Sequence, residues 1–149
     1  MTAATYGILD AVADSFNPLL AVIALAAPFL RKTRTLRATL AYYFSAAAAI
    51  GFVYLVRAIN VHQQIWASLG LHFSTHSAFA ASLAVSIGTF HRRWVVPLIL
   101  AAVLYFSLEL IMRYHGLLDI LSSATLAALA ALLLHVAAVR VSQSHLNSD

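Results

Sequence analysis

Cysteine is absent from this 149-residue chain. That removes disulfides, thiolate nucleophiles and cysteine-ligated metals from consideration. Charge is scarce too: only 9% of residues are Asp, Glu, Lys or Arg, against roughly 25% in a soluble domain. Hydrophobic residues make up 62%. A water-soluble fold of this composition could not cover its surface with polar groups, so a lipid bilayer is the expected solvent. There is no long linker and no clear repeat, and the length suits a single domain over residues 1–149. A basic leader is also missing: Asp10 and Asp14 precede the first apolar run, so no cleavable signal peptide is expected.

What is present is a series of apolar runs. A bilayer-spanning helix needs about 20 mostly apolar residues. Five stretches qualify or nearly do: Phe16 to Leu30, Leu36 to Val56, the shorter Ser74 to Phe90, Trp94 to Met112, and Gly116 to Val139. The first is expected to extend back towards Tyr6 as an interfacial helix, with a break at Asn17-Pro18. Residues 141–149 read as a polar tail. Arg57 to His72 reads as one long loop, either functional or an ordinary interfacial connection anchored by Trp66. The expected fold is therefore an all-α polytopic membrane bundle of about five transmembrane helices.

The formal charge of +4 does not point to nucleic acid, because the basic residues flank apolar runs. With five spans, Arg31, Lys32, Arg34, Arg37, Arg92, Arg93 and Arg140 fall on one side, which the positive-inside rule makes cytoplasmic. Arg57 and Arg113 fall on the other side, and arginines placed there call for a functional explanation or a snorkelling one. The same topology brings His76, at the start of the third helix, to the membrane level of His115, at the start of the fifth.

His115 and Asp119 are four residues apart, hence on one helical face. A carboxylate beside an imidazole fixes its tautomer and stabilises the imidazolium. Its other nitrogen is then a good nucleophile or base. His76 sits in Phe73-Ser74-Thr75-His76-Ser77, where Ser74 or Thr75 can cap a helix whose first N–H groups bind phosphate. His76 there can protonate a leaving oxygen. Arg57 and Arg113 can neutralise phosphate oxygens. The pattern reads as phosphoryl transfer at helix ends on the extracytoplasmic face.

Phe73-Ser74-Thr75-His76-Ser77-Ala78-Phe79-Ala80 resembles the Pro-Ser-Gly-His block of the type 2 phosphatidic acid phosphatase superfamily. Arg113-Tyr114-His115-Gly116-Leu117-Leu118-Asp119 resembles its later His-x3-Asp block, and the resemblance covers about residues 56–128. It implies a nucleophile at His115 forming a phosphohistidine, an orienting Asp119 and a proton donor at His76. Arg57, Arg113, Ser74, Thr75 and Ser77 would then form the substrate-binding set. It also implies a metal-independent enzyme with no cofactor, acting on a lipid phosphate or diphosphate such as phosphatidic acid, phosphatidylglycerophosphate or an isoprenyl diphosphate. The location it suggests is a bacterial inner membrane.

The chain departs from the family pattern in three places. Gln64 and Ile65 stand at the Arg-Pro positions of the first block. Phe73 and Thr75 stand where proline and glycine are usual, and Leu108 and Glu109 where serine and arginine are usual. Glu109 is expected to pair with Arg57 or Arg113 instead.

Two other functions compete. One is a catalytically degenerate relative that binds a phospholipid headgroup or a membrane partner. The other is a metal-dependent enzyme using the His72/His76 and His115/Asp119 pairs, with a heme protein held by His76 and His115 a remote further option. The expected partners are the lipid-phosphate substrate, membrane lipids and a second copy of the chain. His91, His135 and Tyr42, Tyr43 and Tyr54 read as loop or packing residues.

Overall fold

The structure is a computed structural model that describes residues 2–30 and 35–144, the last four by backbone alone. Arg31, Lys32, Arg34 and the end of the polar tail lie outside the described residues. Helix α1 spans Ala3–Ala26 and runs into a 3₁₀ turn, Ala27–Leu30. Helix α2 spans Leu36–Gln63, and the short α3 covers Ile65–Ser68. Helix α4 spans Thr75–Phe90 and is followed by a 3₁₀ turn, Arg92–Trp94. Helices α5 and α6 span Val95–Ile111 and Leu117–Ser144. No strand occurs among the described residues.

Threonine and serine start three of these helices. The side chains of Thr2, Thr35 and Ser74 accept hydrogen bonds from the N–H groups of Thr5, Ala38 and Ser77, each satisfying a donor the helix itself cannot. Once started, α1, α2, α5 and α6 are apolar nearly all round, which suits lipid rather than water. Leu104, Leu133 and Phe44 are 72%, 69% and 73% exposed, a surface tolerable only against acyl chains. Four segments are long and apolar enough to cross a membrane: Ala3–Leu30, Leu36–Gln63, Arg92–Ile111 and Leu117–Arg140. The chain is an all-α integral membrane protein.

The fifth expected span has a different character. Helix α4 is 16 residues long, about 24 Å at the usual rise, and it packs against α1, α2, α5 and α6. Its buried face is Ser77, Ala78, Ala80, Ala81, Ser82, Leu83, Ser86, Ile87 and Gly88. Small side chains let neighbouring helices approach its backbone, so α4 is the axis of the bundle. Around this axis, α5 and α6 do not pack closely on each other, and neither do α1 and α2. At one end α1 and α2 are tied by Tyr42 Oη donating to Ala24 O and Tyr43 Oη donating to Leu25 O. Two lateral clefts are left beside α4.

Several boundaries differ from the sequence expectation. Helix α1 runs unbroken through Asn17-Pro18. Pro18 removes one N–H donor, but its fixed φ is helical, and in lipid the remaining ladder cannot be given up to water. Asn17 spends its amide on tertiary contacts rather than on a turn. The expected loop from Arg57 to His72 is helical as far as Gln63. The helix stops at Gln64, whose φ of 51° is left-handed and whose N–H bonds Asn60 O at 2.8 Å. The polar tail begins later than expected, because α6 continues to Ser144. His91 is not an ordinary loop residue: it is buried, and its Nε2 lies 2.7 Å from Ala27 O.

Candidate active site

Three helix starts and two helix ends meet at one end of the bundle. The first element is the cap of α4. Ser74 Oγ accepts from Ser77 N at 3.2 Å and lies 2.8 Å from Ser77 Oγ, while Ser74 N donates to Ser123 Oγ at 2.9 Å. Ser77 Oγ in turn donates to Glu109 Oε2 at 2.5 Å. All three serines are fully buried. Ser74 and Ser77, both expected to bind substrate, thus knit α4 to α5 and α6 instead. The N–H groups of Thr75 and His76, one and two residues into the helix, have no partner among the described residues.

Glu109, 2% exposed, does not pair with Arg57 or Arg113. Its carboxylate is held by Ser77, because both lie on the inner faces of helices that pack together while the arginines stand outside that contact.

The second element is the start of α6. Asp119 is buried, and its two oxygens accept from His72 N at 2.7 Å and Gly116 N at 2.9 Å. Its Oδ2 lies 4.0 Å from His115 Nδ1. Asp119 therefore ties the segment leading into α4 to the start of α6, with His115 beside it. Among the described residues this is the only acid–base side-chain pair within ion-pair distance.

A cavity of about 410 Å³ opens beside these two helix starts, in the cleft between α1 and α2. Arg57, Thr75, His76 and His115 line it, with Phe73 and Phe79 as apolar wall. The two histidines, 39 positions apart in the chain (115 − 76), thus face one space. Arg57 reaches it from within α2, not from the end of that helix. Arg113 does not line it. That residue is exposed and caps α5 with φ 58°, its N–H bonding Leu110 O while Tyr114 N bonds Glu109 O. This is the paired C-terminal motif that normally uses glycine.

Sequence reasoning missed Asn17. Its Nδ2 lies 3.3 Å from both His76 O and Tyr105 Oη, and it lines the cavity. A polar residue within a membrane span was the available signal. It also missed Ser122, which accepts from Trp66 Nε1 at 3.0 Å and so fixes α3 over α6.

The His72/His76 and His115/Asp119 pairs do not assemble a metal centre. No group of three or more His, Asp or Glu side chains is placed to hold an ion among the described residues. His72 meets Asp119 through its backbone. No known protein family, curated protein or solved structure matches this chain.

Proposed function

We propose that the protein is a membrane phosphatase or phosphotransferase acting on a lipid phosphate, and that it belongs with the type 2 phosphatidic acid phosphatases it resembles. One observation carries this reading: Arg57, Thr75, His76 and His115, drawn from three separated parts of the chain, line a single cavity, and Asp119 stands behind His115.

The chemistry follows from these groups. The phosphate docks on the Arg57 guanidinium and the open N–H groups at the start of α4. Asp119 holds the Nδ1 side of His115, leaving Nε2 to attack phosphorus. The P–O ester bond breaks as His76 delivers a proton to the departing alcohol oxygen. Water then attacks the phosphohistidine, His76 takes its proton, and inorganic phosphate leaves with His115 restored. The cleft between α1 and α2 opens towards lipid, so an acyl or isoprenyl chain need not leave the bilayer for its headgroup to reach the histidines. Arg92, Arg93 and Arg140 stand at the opposite end of the bundle, and the positive-inside rule supports an extracytoplasmic face for the cavity in this reading.

The test is to reconstitute the protein, offer phosphatidic acid, phosphatidylglycerophosphate and isoprenyl diphosphates, and measure released phosphate. Release by the wild type that is lost in His115→Ala supports the reading; equal release by both overturns it. A second reading, a relative that binds headgroups without turnover, is favoured by the cavity's having a single Lys or Arg in its lining among the described residues. It predicts phosphatidic acid binding sensitive to Arg57→Gln, with no phosphate released.

A further inference from the structure

The second cleft, between α5 and α6, is a larger space of about 1070 Å³, just above the range for small-molecule sites (roughly 300–1,000 Å³). Its floor is the small-residue face of α4, including Ala81, Ala84 and Gly88, and its walls are mostly apolar. Two features distinguish it from a bare groove. Exposed Arg92 and Arg140 stand at one end of it. His135, 6% exposed, lines it further in. Its position five residues before Arg140 on α6 puts it about 7.5 Å deeper along the helix axis.

His135 is fixed from the α2 side: its Nδ1 lies 2.7 Å from Ser45 Oγ, which in turn bonds Ala41 O at 2.7 Å and Tyr42 O at 3.0 Å.

We propose that this cleft binds a single-chain lipid of the lysophospholipid type. Its anionic headgroup lies on Arg92 and Arg140, and its acyl chain lies along α4. The charge at the mouth selects an anion. The apolar length selects a chain rather than a soluble metabolite. This site lies at the end of the bundle away from His76 and His115 and does not depend on their chemistry.

Tryptophan fluorescence tests it. The chain has two tryptophans, and Trp94 lies between the cleft residues Arg92 and Val95. In Trp66→Phe protein, Trp94 is the only reporter. The probes are lysophosphatidylglycerol and lysophosphatidylcholine with dibrominated acyl chains, diesters that a phosphomonoesterase does not consume. The expected result is saturable quenching by the glycerol lipid, at a midpoint at least ten-fold below that of the choline lipid. Arg92→Gln/Arg140→Gln should raise that midpoint about ten-fold, and the same binding should persist in His115→Ala. Ala84→Trp/Trp94→Phe/Trp66→Phe, which fills the cleft and moves the reporter into it, should show no saturable quenching. Equal midpoints for the two lipids, or no effect of the double arginine change, would overturn the proposal. So would a cleft found covered by a second copy of the chain, seen as a stable dimer by light scattering that the lipid does not alter.

Discussion

Asp119 Oδ2 stands 4.0 Å from His115 Nδ1 while both carboxylate oxygens are already engaged, by His72 N and Gly116 N. The carboxylate thus has two jobs, holding the approach to α4 against α6 and presenting a negative charge to the imidazole. Asp119→Asn separates them poorly, since its amide nitrogen must face one of the two backbone donors. The variant should lose about 1–3 kcal/mol of stability, as expected when a buried donor is left unpaired. Turnover in the proposed reaction should fall roughly 10²–10⁴-fold, the usual worth of a positioned acid–base group. Thermal unfolding in detergent and phosphate release measure the two effects separately.

Ser77 and Glu109 form the buried polar contact between α4 and α5. Ser77→Ala leaves the Glu109 carboxyl without that partner and should destabilise by about 1–3 kcal/mol. Replacing both partners removes the stranded group, so Ser77→Ala/Glu109→Leu should be more stable than Ser77→Ala alone. A double-mutant cycle on unfolding midpoints reads this directly.

Arg113 occupies a glycine position, with φ 58° at the end of α5. A non-glycine residue there carries a left-handed strain of about 1 kcal/mol. Arg113→Gly should raise the unfolding midpoint accordingly. Lost stability would show that the exposed guanidinium makes a contact worth more than the strain.

The fold was largely legible because lipid leaves a composition signal that does not depend on tertiary detail. The apolar runs located α1, α2, α5 and α6. The ends were harder. Nothing local in Arg57–Gln63 marks it as helix or loop, and the boundary rests on a left-handed Gln64 that no residue preference announces. Pro18 misled for a related reason, since a proline that breaks a helix in water is carried along in lipid. Of the candidate site, His76, His115 and Asp119 were legible from topology and spacing. Ser74 and Ser77 were named, but their partners Ser123 and Glu109 were not, because a serine at a helix start reads alike whether it faces a ligand or a neighbouring helix. Asn17 joins the cavity only through the way α1 packs on α4, which the sequence does not state.

Among the described residues Arg57 is the only Lys or Arg lining the cavity, so phosphate affinity should rest on it heavily. Arg57→Gln removes a charge-assisted bond of roughly 1.5–3 kcal/mol. It should raise KM for a lipid phosphate at least ten-fold, with Arg113→Gln changing KM far less. Steady-state kinetics on phosphatidic acid vesicles compare the two.

The central claim is that His115 becomes phosphorylated. A single-turnover reaction with lipid labelled in its phosphate, quenched in alkali and resolved by digestion and mass spectrometry, tests it most directly. The account predicts a base-stable, acid-labile phosphate on the peptide carrying His115, which accumulates when His76 is replaced by Ala with a lipid bearing a good leaving group. Phosphate release with no labelled histidine, or undiminished release from His115→Ala, would contradict it.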